Sequence, residues 1–412
     1  MLPLSKSNMI RVNEMTVRMG EWRMAEREVY HQARIELVDI IRGFAVIGIF
    51  LVNVPEMLGT GYGFVSEYAG SDALIRLLYD MFVQTKFYTI FAFLFGLSFY
   101  LFMQSAERRG LGARKLMARR LLLLAVVGLA HGVLLWYGDI LLPYALLGFI
   151  LLLFHKRSPA ATLAWGVSLV GMAALLIFGA TWIAVALAPE SLSDTLFLAL
   201  PDMQDRIDFL LNVASVNYIV IGPEILGLFL LGYYAGQKGW FAGEGGISRS
   251  LLARLQWMTL AASIALFIPM VNAYVSDDLY NPNYVYHYTY LSGKTMAVFY
   301  VCTLMRLYQT LGSRWFGGLA ALGRMAFTNY LMQTLITIVL VYVVWRQANE
   351  WPLWANLLYA VAVLLNQIAW SKQWLRRFSM GPFEWLWRAG TYLQWPPMRT
   401  GRSTEGKRSA NR

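Results

Sequence analysis

Apolar stretches of roughly twenty residues recur along this chain, separated by short polar segments. They run approximately over 38–56, 84–103, 118–137, 140–155, 161–188, 212–236, 255–273, 292–311, 325–345 and 353–371. A helix of about 20 apolar residues crosses the ~30 Å of hydrocarbon in a bilayer. Lipid leaves no water for exposed peptide groups, so a spanning segment must be a helix or part of a closed barrel. Barrel strands alternate apolar and polar positions, whereas these runs are continuous and rich in leucine. The pattern predicts an all-α, polytopic membrane protein with about ten transmembrane helices.

Charge gives the spans a direction. The segments at one side hold Arg108, Arg109, Arg114, Lys115, Arg119 and Arg120, then Lys156 and Arg157, then Lys238, Arg249 and Arg254. The opposite segments are acidic, with Glu67, Asp72, Asp194, Asp202, Asp205, Asp277 and Asp278. Of the 35 Lys and Arg, 29 fall on the side shared by the two termini. Basic loops stay in the cytoplasm, so both termini of this inner-membrane-type protein are expected inside.

The chain then divides into a polar tail over 1–33, a membrane half of about five spans over 34–210, a second half over 211–395, and a basic disordered tail over 396–412. The second half holds about five spans and an aromatic segment, Phe378 to Arg388, that reads as an interfacial helix. Met24 offers an alternative start, so no function is placed on the first residues.

Composition agrees. The chain is 58% hydrophobic and 14% charged, against about 25% charged in ordinary soluble proteins. A net charge of +11 invites a nucleic-acid reading, but the bases sit in loops between spans and set orientation instead. The single Cys302 forms no internal disulfide, and four scattered histidines give no metal-site spacing. No phosphate-binding loop, dinucleotide fingerprint or serine-hydrolase elbow is present, so no bound cofactor is expected.

Polar groups inside lipid need a partner or a wet cavity. In the first span Asp39 and Arg42 lie three apart and share a face. Asn53 and Glu56 continue the same stripe over about 25 Å of helix. The stripe either lines a polar cavity or fixes packing through an ion pair. His131 sits in the third span with Asp139 beyond it; it reads as a general base or proton relay, or as a histidine held by Asp139. Asp80 precedes the second span. Glu224 follows Pro223 and suggests a local break. Arg324, Asn329 and Gln333 form a second polar patch in the ninth span, at the depth of Arg42. Arg42 and Arg324 suit a phosphorylated ligand such as a coenzyme A nucleotide, or anionic membrane lipids.

Four separated motifs carry a resemblance. These are Arg34-x-x-x-x-Asp39-x-x-Arg42-Gly43-Phe-Ala with Gly48 and Asn53; His131-Gly-x-x-Leu-Trp-Tyr-Gly-Asp139; Gly323-Arg-Met-Ala-Phe-Thr-Asn-Tyr330; and Gly381-Pro-Phe-Glu-Trp-Leu-Trp-Arg388. Together they resemble the YeiB-like bacterial membrane proteins and their carboxyl-terminal domain. The first span also resembles the transmembrane acyltransferases, such as heparan-α-glucosaminide N-acetyltransferase. That second resemblance implies transfer of an acyl group from acyl-coenzyme A, as co-substrate, to an acceptor across the membrane. It puts Asn53 at a site asparagine and Asp80 at an acidic position. The enzyme's histidine has no counterpart between Glu56 and Lys86, and His131 takes its place in this reading.

Two functions are therefore expected. One is acyl transfer, with Arg42 and Arg324 on the donor and His131, Asn53 and Asp80 at the reaction. The other is transport of a small polar or anionic solute, with Asp39, Arg42, Glu224 and His131 as gating groups. The small-molecule substrate and the oligomeric state are left open.

Overall fold

The computed structural model describes residues 36–61, 65–187, 201–241 and 246–399. The tail over 1–33, with the alternative start at Met24, and residues 400–412 lie outside the described residues. Helices are α1 (Glu36–Leu58), α2 (Gly70–Phe82), α3 (Lys86–Arg108), α4 (Ala113–Leu134), α5 (Leu141–Leu151), α6 (Pro159–Leu187) and α7 (Met203–Phe209). They continue with α8 (Ser215–Gln237), α9 (Arg249–Ser276), α10 (Tyr286–Leu311), α11 (Gly317–Arg324), α12 (Ala326–Val339), α13 (Leu353–Leu375) and α14 (Pro382–Tyr392). Among the described residues there is no strand, only isolated bridges such as Tyr68 with Tyr280.

Each expected span coincides with a helix. Eight helical segments are long and apolar enough to cross a membrane. The other two of the expected ten are α5 and α10. With its terminal 3-10 turn α5 covers only Leu141–Phe154, short of a full span. The longer α10 is interrupted by His287, Thr289 and Ser292, all buried. It runs inside the bundle, against α9, α3 and α6, where polar side chains meet partners rather than lipid.

Two features depart from the sequence reading. The segment before the second span is a helix, α2, stitched by Arg76 to Asp80 one turn later at 2.7 Å. Pro223 does not break α8, which stays helical from Ser215 to Gln237. Proline removes one intrahelical hydrogen bond, and α8 is clasped by α3 on one flank and α6 on another. The irregular turn lies earlier, in the π segment Leu210–Ala214.

In lipid no hydrophobic force drives helices together, so close packing rests on small residues. At the crossing of α1 and α11 a Cβ on Gly43 would lie 2.0 Å from the Leu319 carbonyl oxygen, and one on Gly323 would lie 1.8 Å from that of Asp39. Only glycine admits two backbones this close. The contact sets Arg42 and Arg324 in the lining of one cavity.

Candidate functional site

A cavity of about 800 Å³ opens between α1, α3, α4, α12 and α14. Six arginines line it: Arg42, Arg108, Arg109, Arg120, Arg324 and Arg388. Its floor is apolar and aromatic, with Phe91, Leu94, Phe95, Leu124, Leu141 and Tyr144. Arg42 and Arg324, expected at one depth, thus share one chamber. Arg42 donates to Asp39 Oδ1 at 2.6 Å and to Ser98 Oγ at 3.1 Å. Arg324 donates to the Ser379 carbonyl at 3.1 Å.

One wall is α14, and its attachment explains two of the sequence motifs. The Glu384 carboxylate accepts from the amides of Phe327 at 2.8 Å and Thr328 at 3.1 Å, in the first turn of α12, and from the Thr328 hydroxyl. The same hydroxyl accepts from the Phe383 amide at 3.2 Å. Orphan amides at a helix start want an acceptor, and a carboxylate also suits the helix dipole. Burial pushes the Glu384 carboxyl up from its usual range, while these hydrogen bonds pull it down. Further along α14, Trp387 Nε1 donates to the Arg120 carbonyl at 3.0 Å. The Arg120 guanidinium lies 3.7 Å from the Trp387 ring centre and 4.9 Å from that of Phe102.

Behind the floor lies His131. Its Nδ1 is 3.0 Å from Asp139 Oδ1 but out of hydrogen-bonding alignment, so both ring nitrogens are buried without a hydrogen-bond partner among the described residues. Asp139 is itself fixed: Oδ2 accepts from the Leu142 amide at 2.9 Å, and Oδ1 from the Tyr330 hydroxyl at 3.3 Å. Tyr330 and Ile140 belong to the cavity lining. The histidine–aspartate pair therefore sits one side chain behind the cavity wall.

The other candidates lie elsewhere. Asn53 is on α1, half-buried, and is not in the cavity lining. Glu56 is three residues further, beside Gly61. Asp80 is fully buried with both oxygens engaged, one by Arg76 at 2.7 Å and the other by Tyr280 at 3.0 Å. Asn329 donates to Ser371 Oγ at 3.0 Å and Gln333 to Gln367 at 2.9 Å, joining α12 to α13. Glu224 is paired with Lys294 at 2.6 Å and accepts from Tyr88 and Tyr290 at 3.0 and 2.6 Å.

The sequence reading carried Tyr330 only within a motif beside the ninth-span patch, and did not single out Arg120, Trp387 or Lys294 as site residues. Lys294 left a signal, a charge within an apolar run. Arg120 left none, because it is one base among six in a loop-flanking cluster.

Comparison with known proteins places these features in a family. The family model described as "Protein of unknown function (DUF418)" matches residues 235–394. The uncharacterized protein YxaH of Bacillus subtilis is 33% identical over 400 residues, covering 89% of this chain and 96% of its own. The uncharacterized protein YeiB of Escherichia coli is 28% identical over 380 residues, covering 85% and 94%. An uncharacterized 39.9 kDa protein of Bacillus acidopullulyticus is 30% identical, covering 87% and 94%. With relatedness along almost the whole length of both chains, and with its bundle of apolar helices, this chain belongs to the YeiB-like DUF418 family of multi-pass helical membrane proteins.

Proposed function

We propose that the protein is an acyltransferase-like membrane protein that takes acyl-coenzyme A from the cytoplasmic side and passes the acyl group to an acceptor at the outer side. One juxtaposition supports this reading. The cavity joins a mouth of arginines to an apolar floor, and Tyr330 in its wall bonds the Asp139 that holds His131. Arginines suit phosphates, and the floor suits an acyl chain. Asp139 Oδ1, 3.0 Å from Nδ1, is close enough to stabilise the imidazolium that forms when Nε2 takes a proton. The acceptor oxygen or nitrogen bonds the acyl carbon, the thioester C–S bond breaks, and the proton passes through His131 Nε2 to the departing thiolate. Asn53, further along α1, is the group to orient the acceptor.

The loop charges support an inner-membrane orientation with both termini in the cytoplasm. The cavity mouth then faces the cytoplasm. Single cysteines at Asp277 and Arg399 test this, since the native Cys302 is buried. An impermeant maleimide added to intact inside-out vesicles is expected to label Arg399→Cys and spare Asp277→Cys.

The activity test follows coenzyme A release from acetyl- and palmitoyl-coenzyme A by protein reconstituted in vesicles. Release is expected for the native chain and not for a folded His131→Ala variant. Absence of donor-dependent release at either chain length sinks the reading. A second reading, transport of a small anionic solute, is favoured by the buried Glu224–Lys294 pair, of the kind that serves as a coupling group in membrane interiors. Solute uptake without any acyl donor would select it.

A further inference from the structure

The six arginines of the cavity are not equivalent. Arg42 is taken by Asp39 and Ser98, and Arg324 by the Ser379 carbonyl. Arg109 donates to the Ser105 carbonyl at 3.1 Å and to the Tyr392 hydroxyl at 2.9 Å. Among the described residues, the side chains of Arg108, Arg120 and Arg388 have no hydrogen-bond acceptor or carboxylate. We infer that these three, from α3, α4 and α14, are the anion seat of the cavity, and that the seat takes a phosphate-type head carrying two or more negative charges on an apolar tail. The inference rests on the cavity as the ligand site of the proposed function and specifies which groups hold the ligand.

Three observations carry it. First, the Arg120 guanidinium is held over the rings of Trp387 and Phe102. Ring contacts of this kind place a guanidinium without using its N–H donors, which remain for phosphate oxygens. Second, Arg120 lies within electrostatic range of Arg42 and Arg388. Like charges gathered this closely repel unless an anion sits among them. Third, the lining contains a single acid, Glu384, and both its oxygens are engaged by the first turn of α12. No carboxylate in the lining is free to neutralise the three arginines. A singly charged phosphodiester answers one of them, whereas a diphosphate or a phosphomonoester answers two or three. The floor of Phe91, Leu94, Phe95 and Leu141 accepts the tail.

Two molecules share this chemistry: an acyl-coenzyme A, whose nucleotide carries the phosphates, and a lipid ending in a diphosphate. The test measures binding of palmitoyl-coenzyme A, farnesyl diphosphate and phosphatidylglycerol to the full chain in phosphatidylcholine nanodiscs, by native mass spectrometry. Arg120→Gln is expected to weaken binding of at least one diphosphate probe by about tenfold or more. Arg388→Gln and Arg108→Gln, both at exposed positions, are expected to weaken it in the same direction. Phosphatidylglycerol is expected to bind weakly and to be indifferent to all three changes. Binding of farnesyl diphosphate alone supports the seat and overturns the acyl-coenzyme A donor. Binding of palmitoyl-coenzyme A supports both. The seat is overturned if neither diphosphate binds, if the three variants bind as the native chain does, or if phosphatidylglycerol competes on equal terms.

Discussion

Glu384 of α14 and Thr328 of α12 cap one another: the carboxylate accepts from the Thr328 amide and hydroxyl, and that hydroxyl accepts from the amide of Phe383. Removing an N-cap acceptor costs about 0.5–2 kcal/mol. Glu384→Ala is therefore expected to lower stability by about that amount and to loosen α14. Limited proteolysis after Tyr392 reads the loosening. Unchanged cleavage rates would mean that the aromatic contacts of α14 hold it without the cap.

The same carboxyl carries a pH signature. Burial raises it above the ordinary glutamate range. A raised carboxyl adds stability that is complete below the unfolded value and is lost as pH rises through the folded value. The native chain should therefore lose stability relative to Glu384→Gln as pH climbs from about 4.5 toward neutrality. Thermal unfolding in detergent at a series of pH values checks this; parallel curves for the two proteins would refute it.

Gly323→Ala is expected to destabilise by about 1–3 kcal/mol, the usual range for overpacking, because its Cβ would meet the Asp39 carbonyl oxygen. Gly317→Ala, where nothing lies within 4 Å, is the control and should change little. The comparison also reads function, since Gly323→Ala moves Arg324 away from Arg42 and should weaken ligand binding in parallel.

Breaking the Glu224–Lys294 pair from one side leaves an uncompensated charge in the bundle, which costs about 3–5 kcal/mol. Lys294→Met alone should show this in denaturant unfolding. Glu224→Gln with Lys294→Met together should cost markedly less than the two single changes added. Strict additivity would mean that the pair is not coupled.

His131→Ala is expected to lower acyl transfer by about a hundredfold or more, the usual scale for a general base. Asp139→Asn should lower it too, by removing the negative charge 3.0 Å from the imidazole. Tyr330→Phe, which keeps the ring and removes one donor to Asp139, should shift the pH profile more than the maximal rate.

Much of this architecture can be read from the chain because lipid imposes a harsh rule. Continuous apolar runs have to be helices, and each expected span is one. The pairing of Asp39 with Arg42 follows from their spacing on one helix face and is present at 2.6 Å. What spacing cannot carry is contact between distant segments. Arg120 meets Trp387 across 267 residues, and in the sequence it merges with neighbouring bases that set topology. Lys294 was legible as a charge in an apolar run, but its partner Glu224 lies on another helix. Pro223 points to a break that tertiary packing suppresses, and α2 is an amphipathic helix whose polar positions resemble a loop.

The attachment of α14 bears on how the cavity comes to exist. Arg388, Trp387, Glu384 and Tyr392 form one wall, and they stand in the last helix among the described residues. That wall is synthesised after every membrane segment it packs against. The chamber is therefore completed only when α14 folds back onto α12 and α4. A chain cut after α13 would retain the membrane segments yet have an open side where the finished protein has a pocket.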